Sequence, residues 1–363
     1  MAESRRPARR IDGQPRMSTE IDPARAPAAY FNPRPERAWP TGDLVPRPSG
    51  LLAAHQVVRA HLAPTPFELS RELSRRFNRS IWLKLENCSP IRSFKARGAI
   101  ACLARMTPEQ CARGLITAST GNHGQGLAFA GARFGARVTV VVPRGAEEVK
   151  VAAMESLGAD IVIGGENLTD AASTAMELAA RQGLTYVEDG EDPGLMAGAA
   201  TVLWEMLEVE PRLDVVIVPV GGGNLLAGSL LAAAMLRPET AVIGVQSRAA
   251  PGATLSWLSG EMATAECHTS AGGLATEHPG HLTLAVMRAL LERMVLVTEA
   301  DLWRGIATAY QLTGYPIEAA AAAGLAALET CADEMPGGST GIMLTGGRIN
   351  ATDLCRALSA PPG

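Results

Sequence analysis

Lysine is nearly absent from this sequence. The 363 residues include thirty arginines but only three lysines, Lys84, Lys95 and Lys150. A guanidinium stays protonated near neutral pH and is not nucleophilic, so arginine cannot form a Schiff base. Few side chains are therefore able to perform covalent amine chemistry in this protein. The same scarcity would follow from a bias toward arginine codons, and residue spacing alone does not separate the two explanations.

Cysteine and long apolar runs are also scarce. The six cysteines are scattered without a CxxC pair, and the one adjacent histidine, His268 after Cys267, is not at the spacing of zinc ligands. This pattern indicates reduced, mostly structural thiols, a cytoplasmic protein and no metal site. No segment approaches the roughly 18 consecutive apolar residues of a membrane span, and the N-terminus lacks the apolar segment of a signal peptide.

The net charge and the composition limit the classes of protein to which this chain can belong. A formal net charge of −4 gives no electrostatic basis for binding nucleic acid or an anionic membrane. With 47% hydrophobic residues the chain can bury a large core, and its length predicts two domains. Residues 1–48 contain nine arginines and nine prolines with little apolar periodicity, so we expect a disordered tail there. Translation could instead start at Met17.

From Leu51 onward, strand-like and helix-like segments alternate. Val138 to Val142 is a β-branched run, residues 147–159 place apolar side chains on one helix face, and residues 161–163 are apolar again. Together these segments predict a βαβ unit. The alternation continues with predicted strands at 215–220, 241–245 and 341–345 and a helix at 225–236. We therefore expect an α/β fold with parallel sheets covered by helices on both faces, whose ligands bind at the carboxyl ends of strands.

The lysine motif, Ser93-Phe94-Lys95-Ala96-Arg97-Gly98, lies at such a position. The apolar run from Ile81 to Leu85 predicts a strand, and an Ala-rich helical pattern begins shortly after Lys95. Lys84 lies inside that strand, and Lys150 lies at a charged helix start. Lys95 is therefore the candidate catalytic lysine.

Two further loops carry small residues before a helix. The asparagine loop, Ser119-Thr120-Gly121-Asn122-His123-Gly124, precedes a predicted helix at 124–134. Unpaired N–H groups at a helix N-terminus attract an anion, and hydroxyls add donors, although an ordinary helix N-cap is the alternative.

The glycine loop, Gly221-Gly222-Gly223-Asn224-Leu225, lets backbone N–H groups curl around a phosphate. A dinucleotide-binding site usually has an acidic residue at the end of the next strand, where it binds the ribose hydroxyls, but this sequence has Gln246 there. A third such loop, Leu344-Thr345-Gly346-Gly347, follows the last predicted strand.

Residues 51–354 contain five motifs in the order SFKARG, STGNHGQG, VGGGNLLAG, a glutamate (Glu318) before an Ala/Gly helix, and TGGR. In these motifs and their order the chain closely resembles the serine/threonine dehydratase family of pyridoxal-phosphate enzymes, which includes serine racemase. The resemblance implies pyridoxal 5′-phosphate as cofactor and the two-domain, tryptophan-synthase-β-like architecture called fold type II. It implies elimination of water from a β-hydroxy amino acid, giving a 2-oxo acid and ammonia. A homo-oligomer, expected as a dimer, is also implied.

The same resemblance assigns residue roles. Lys95 would hold the cofactor as a Schiff base and, once released by substrate, take the α-proton. Ser119 and Thr120 would be catalytic and, with Gly121 and His123, would face the substrate carboxylate; the Thr120 hydroxyl could also return a proton and give some racemisation. The implied cofactor contacts are Phe94 and Glu318 at the ring, Asn122 at the 3-hydroxyl, Thr345 at the pyridine nitrogen, and Gly221, Gly222, Gly223, Asn224 and Leu225 at the phosphate.

Departures from the family pattern leave the substrate open. Asn224 stands where glycine is usual, and residues 198–201 and 271–274 also differ. Threonine, serine, 3-hydroxyaspartate, an aryl-serine or a modified amino acid from osmolyte breakdown all fit. Metal-activated relatives carry two carboxylates where this chain has Gln246 and Gly252, so we expect no requirement for divalent cations.

We place a small domain at residues 114–189, inserted in a large domain formed by 51–113 and 190–358, with the cleft between them. We expect no appended regulatory domain after TGGR and no end-product feedback by that route. A racemase or a β-replacement enzyme of the same fold is the alternative, although Ala96 and the glycine loop argue against replacement. A non-catalytic nucleotide-binding protein is a distant alternative, since it would not explain Lys95.

Overall fold

The computed structural model describes residues 29–32 and 38–359, which form two sheets with helices packed against them. The strands are β1 (Ala29–Phe31), β2 (Phe67–Leu69), β3 (Ile81–Leu85), β4 (Leu115–Ala118), β5 (Val138–Val142), β6 (Asp160–Ile163), β7 (Thr185–Tyr186), β8 (Val215–Pro219), β9 (Ala241–Ser247), β10 (Arg293–Val297) and β11 (Thr340–Leu344). The helices are α1 (Pro48–His61), α2 (Arg71–Phe77), α3 (Lys95–Leu103), α4 (Pro108–Arg113), α5 (Asn122–Phe134), α6 (Glu148–Glu155), α7 (Leu168–Gln182), α8 (Pro193–Val209), α9 (Asn224–Leu236), α10 (Gly252–Ser259), α11 (His281–Leu290), α12 (Glu299–Thr313), α13 (Ala319–Cys331) and α14 (Ala351–Ser359).

The larger sheet has seven strands in the order β1-β10-β9-β8-β11-β3-β2. Its five inner strands are parallel, and β1 and β2 pair antiparallel at the edges. Successive side chains of β8 point to opposite faces of the sheet, which explains why helices cover both faces. Val216 and Val218 join the apolar cluster that contains α9, whereas Val215 and Ile217 join the cluster that contains α13. This confirms the predicted α/β fold with covered parallel sheets.

The smaller sheet has four parallel strands in the order β6-β5-β4-β7. Every residue of β5 is buried, as its continuous β-branched run predicts. Val140 packs on the side of α5, and Val141 packs with Ala171 and Ala175 of α7. The sheet lies within residues 114–189, the range expected for a small domain, and the division into domains remains a proposal.

Most predicted elements are present, with shifted ends. The βαβ unit is formed by β5, α6 and β6. Helices α5 and α9 begin at Asn122 and Asn224, earlier than periodicity predicts, because their first turns are polar or glycine-rich. Strand β9 does not end before Gln246, because pairing with β10 continues through Ser247. The residue at its end is still not acidic.

The prediction of a disordered tail at 1–48 is too broad. Residues 29–31 form β1, which pairs with β10, and α1 begins at Pro48. Residues 1–28 and 33–37 lie outside the described residues. Within the described part of the chain, no helix combines the length and the apolar character needed to cross a membrane.

The sheet topology brings the four motif loops to the carboxyl ends of strands. The asparagine loop follows β4, the glycine loop follows β8, and the TGGR segment follows β11. The lysine motif follows β3 after one 3-10 turn, and it touches the TGGR segment because the Phe94 N–H donates to the Thr345 carbonyl at 3.2 Å.

Candidate active site

Lys95 is the first residue of α3, directly after the N-cap residue Phe94. Its side chain is 19% exposed, and its Nζ lies 5.1 Å from the centre of the Phe94 ring and forms an ion pair with Asp189. Lys84, in contrast, is 1% exposed and is enclosed, with its Nζ 2.5 Å from Glu205. Lys150 is accessible but pairs with Glu147 on its own helix. Lys95 is thus the accessible lysine among the motif loops.

The lysine motif and the asparagine loop are joined by a close helix contact. A Cβ atom on Gly126 would lie 2.8 Å from the carbonyl oxygen of Lys95. Any side chain at this position would push α5 away from α3. The last glycine of the GNHGQG motif therefore allows the two functional loops to approach each other.

The asparagine loop orients its side chains in different directions. The Asn122 Nδ2 donates to Glu318 Oε1 at 2.9 Å. The Ser119 Oγ accepts from the backbone N–H groups of Gly121 (3.2 Å) and Gly124 (3.1 Å), so it serves as a helix cap and still has its own hydrogen to donate. Thr120 is half-buried, and its hydroxyl makes no hydrogen bond to the described residues. Ordinary capping is therefore present, and the binding of an anion by the two hydroxyls stays a prediction.

The His123 side chain lies inside the protein, near Asp189 and Lys95. Its imidazole is buried, with Nε2 3.1 Å from the Thr117 hydroxyl. Burial lowers the pKa of His123, although the nearby Asp189 carboxylate opposes the shift. The imidazole is thus neutral at physiological pH and offers no positive charge to a substrate carboxylate.

The glycine loop presents unpaired backbone donors. Among the hydrogen bonds of the described residues, none is donated by the N–H groups of residues 221–225. Gly223 has a φ of +98°, which favours glycine, and no atom lies within 4 Å of the place a Cβ on Gly222 would take. The Asn224 Oδ1 is buried without a partner. An open loop with free N–H groups at the start of α9 fits the phosphate of the implied cofactor.

Glu318 and Thr345 close the opposite side of the site. The Glu318 backbone N–H donates to the Gly346 carbonyl at 3.1 Å, which holds the carboxyl next to the TGGR segment. Burial raises the pKa of Glu318 to about 7, although the hydrogen bond from Asn122 and the charge of Lys150 oppose it. Thr345 is buried, and none of the hydrogen bonds between the described residues involves its hydroxyl.

One site residue was missed by sequence reasoning. Asp189 enters the sequence analysis only as the last residue of the expected small domain, yet it contacts both Lys95 and Asn224. Its signal was weak, because an acidic residue before glycine usually marks a turn. The contact links the lysine motif to the glycine loop, and the Asn122–Glu318 hydrogen bond links the asparagine loop to the segment before α13.

The comparisons with known proteins agree with this geometry. The family model described as pyridoxal-phosphate dependent enzyme matches residues 58–346. The L-threonine ammonia-lyase of Thermotoga maritima is 34% identical over 296 residues, covering 81% of this chain and 74% of that protein. The catabolic L-threonine dehydratase TdcB of Escherichia coli is 34% identical over 292 residues, covering 79% of this chain and 88% of that protein.

Solved structures give the same result. The processed form of threonine deaminase isoform 2 from Solanum lycopersicum superposes with a TM-score of 0.81 at 28% identity, covering 90% of this chain and 98% of that chain. Serine racemase from Dictyostelium discoideum superposes with a TM-score of 0.78 at 28% identity, covering 83% and 98%. With its lysine, glycine loop and fold all in agreement, this chain belongs to the pyridoxal-phosphate dependent enzymes of fold type II.

Proposed function

We propose that this enzyme eliminates water from a β-hydroxy amino acid of the threonine or serine type, giving a 2-oxo acid and ammonia. The observation that carries the proposal is the accessible amine of Lys95, which Asp189 links to a glycine loop whose backbone N–H groups are unpaired within the described residues. The relatives named as threonine ammonia-lyase and threonine dehydratase, aligned over most of their lengths, support the substrate class.

Each residue has a task in this proposal. Pyridoxal phosphate supplies the electron sink for the pair left when the α C–H bond breaks. Lys95 would hold the cofactor and take the α-proton on its Nζ. Phe94 would contact the cofactor ring, and the Asn122 amide, which donates one hydrogen to Glu318, would have its second hydrogen available for the 3-hydroxyl.

The remaining residues bind and orient. The N–H groups of residues 221–225 would hold the phosphate, and the Thr345 hydroxyl would donate to the pyridine nitrogen. The hydroxyls of Ser119 and Thr120 and the Gly121 backbone bind the substrate carboxylate, which fixes the α C–H bond relative to Lys95. A cytoplasmic location, a homodimer and the absence of a nucleic-acid partner stay predictions.

The first test combines product release with lysine variants. Holoenzyme incubated with L-threonine, L-serine, 3-hydroxyaspartate and an aryl-serine should release keto acid and ammonia from at least one of them. Lys95→Ala should lower kcat by at least about 10³-fold, because the holding group and the base are lost together. Lys150→Arg is the matched control, since it removes the other accessible primary amine and keeps the charge.

Borohydride reduction followed by peptide mass analysis should place the cofactor on Lys95. Keto-acid release by pure Lys95→Ala at the wild-type rate would show that the assignment is wrong. Chiral analysis of residual substrate in the same reactions tests the racemase alternative, which requires the D-isomer to accumulate.

A further inference from the structure

The Asp189 carboxylate lies between the lysine motif and the glycine loop. Its Oδ2 forms an ion pair with the Nζ of Lys95, and its Oδ1 accepts a hydrogen bond of 2.6 Å from the Asn224 amide. Both oxygens therefore engage side chains of the site. Among the described residues, neither oxygen caps a helix or bonds to a backbone N–H, so the carboxylate has no purely local role.

The backbone around Asp189 is held in place. Gly190, with a φ of +98°, packs so closely on the 280 region that a Cβ would lie 3.2 Å from the Gly280 Cα. Asp192 caps α8 by accepting from the Leu195 N–H at 2.9 Å. On the other side of Asp189, the Val187 N–H donates to the Ile116 carbonyl at 2.9 Å. The segment that joins the small sheet to α8 is thus anchored on both sides of Asp189, which holds the carboxylate in position.

Asp189 is an anion at neutral pH. Burial alone would raise its pKa, but the Lys95 ammonium and the hydrogen bonds from Lys95 and Asn224 together hold the pKa well below its usual range. A carboxylate this close to the N-terminus of α9 also opposes phosphate binding there, because like charges repel. A residue needed only to shape the loop would serve better as a neutral amide.

We propose that Asp189 is a catalytic residue whose carboxylate stabilises the positive charge that the Nζ of Lys95 gains when it takes the α-proton. In this step the α C–H bond breaks, an N–H bond forms on Lys95, and the electron pair passes to the cofactor. Asp189 stays ionised throughout and accepts a hydrogen bond from the new ammonium. The proposal rests on the proposed function for the role of Lys95 as base.

The test uses three holoenzyme variants. Asp189→Asn removes the charge and keeps an oxygen that can accept from Asn224, Asp189→Glu keeps the charge, and Glu188→Gln removes the neighbouring, exposed charge as a control. With L-threonine, kcat/KM of Asp189→Asn should fall roughly 10- to 100-fold, because a charge-assisted hydrogen bond to the ammonium is lost. The isotope effect with α-deuterated L-threonine should rise, because proton removal becomes more fully rate-limiting. Asp189→Glu should recover part of the rate, and Glu188→Gln should resemble the wild type.

A second readout does not need turnover. The midpoint of the pH titration of the bound cofactor's visible absorbance should move about one pH unit lower in Asp189→Asn, because the anion that favours a proton on the lysine nitrogen is gone. An unmoved midpoint, or a fall in rate with an unchanged isotope effect, overturns the role of Asp189. A moved midpoint in an enzyme that releases no keto acid from any substrate supports the Asp189 contact and instead overturns the proposed function.

Discussion

Glu318 has an ionisation state that depends on its surroundings in the cleft. Burial raises the pKa of its carboxyl to about 7, against an ordinary value near 4.5. The Asn122 amide donates to the same carboxyl from the other side of the cleft. Because Asn122 belongs to the asparagine loop and Glu318 to the segment before α13, the protonation of one side chain affects a contact between two parts of the site.

We predict that Glu318 makes the cofactor-free protein less stable as pH rises. The folded-state pKa lies above the unfolded value, so the folded protein binds more protons between about pH 4.5 and 7, and stability contributed by the protonated form is lost as pH rises through that window. Relative to Glu318→Gln, the free energy of unfolding of the wild type should fall by about 1–3 kcal/mol between pH 5 and pH 8. This range is smaller than the full pKa shift of Glu318 would give, because its side chain is partly exposed.

Urea unfolding of cofactor-free wild type and Glu318→Gln at pH 5, 6.5 and 8 measures this difference. The exposed Glu261→Gln serves as the control, and its stability should follow the wild type at every pH. If the free energies of unfolding of the wild type and Glu318→Gln differ by the same amount at all three pH values, the Glu318 carboxyl ionises as it does in water.

At the scale of elements, helix α3 rests on a buried cluster of charges. Arg97, two residues after Lys95, is fully buried and donates to both oxygens of Glu86 at 2.9 Å and to both oxygens of Glu205 at 2.7 Å. Lys84 on β3 completes the cluster through Glu205 at 2.5 Å. Two cations thus face two anions under the helix that carries the candidate catalytic lysine, which fixes α3 against β3 and α8.

We predict that Arg97→Lys is strongly destabilising. The ammonium group of lysine is compact, so it cannot reproduce the planar guanidinium of arginine, which bonds to two carboxylates at once. The substitution keeps the positive charge but leaves several buried carboxylate oxygens without their hydrogen bonds, which costs about 3–5 kcal/mol. Arg105→Lys, at an exposed position two residues after the end of α3, should cost less than about 0.5 kcal/mol. The urea midpoints of the two holoenzymes measure this, and equal midpoints would contradict a supporting role for the cluster.

Sequence patterns predicted the strands and helices whose periodicity is local, and missed what depends on distant contacts. The run Val138 to Val142 is continuous, and the structure has β5 over the same residues. The end of β9 at Ser247 depends on β10, almost fifty residues later, so no local pattern could give it. The site shows the same division, since Lys95 was identified from its own motif whereas its partner Asp189 lies 94 residues away.

At the scale of the whole molecule, the site exists only because two sheets meet at it. The four-stranded sheet contributes the asparagine loop and, through the segment after β7, Asp189. The seven-stranded sheet contributes the lysine motif, the glycine loop and Thr345. Hydrogen bonds from Asn122 to Glu318 and from Asn224 to Asp189 join the two contributions. We infer that a change in the distance between the sheets would alter the geometry at Lys95 before it altered either core.

The prediction that the enzyme needs no divalent cation depends on the large sheet and on the loops around it. Gln246 on β9 uses its Oε1 to accept from the Thr254 N–H and hydroxyl at 2.9 and 2.8 Å. A Cβ on Gly252 would lie 2.0 Å from the Glu277 carbonyl oxygen, so no carboxylate could occupy that position without moving the loop. In the described part of the chain, no group of three or more His, Cys, Asp or Glu side chains is arranged to hold a metal.

We therefore expect turnover to survive removal of metals. A hard divalent ion prefers six or more oxygen ligands that include charged ones, and a neutral amide beside a glycine does not offset its dehydration. Holoenzyme dialysed against EDTA should keep its kcat and its unfolding midpoint within experimental scatter, and added Mg²⁺ or Ca²⁺ should change neither. Gln246→Glu gives the matched comparison, because it adds one carboxylate at the strand end without room for a second at Gly252. A large loss of activity with EDTA that Mg²⁺ reverses in the wild type would contradict the prediction, and would point to carboxylates such as Glu261 as the ligands.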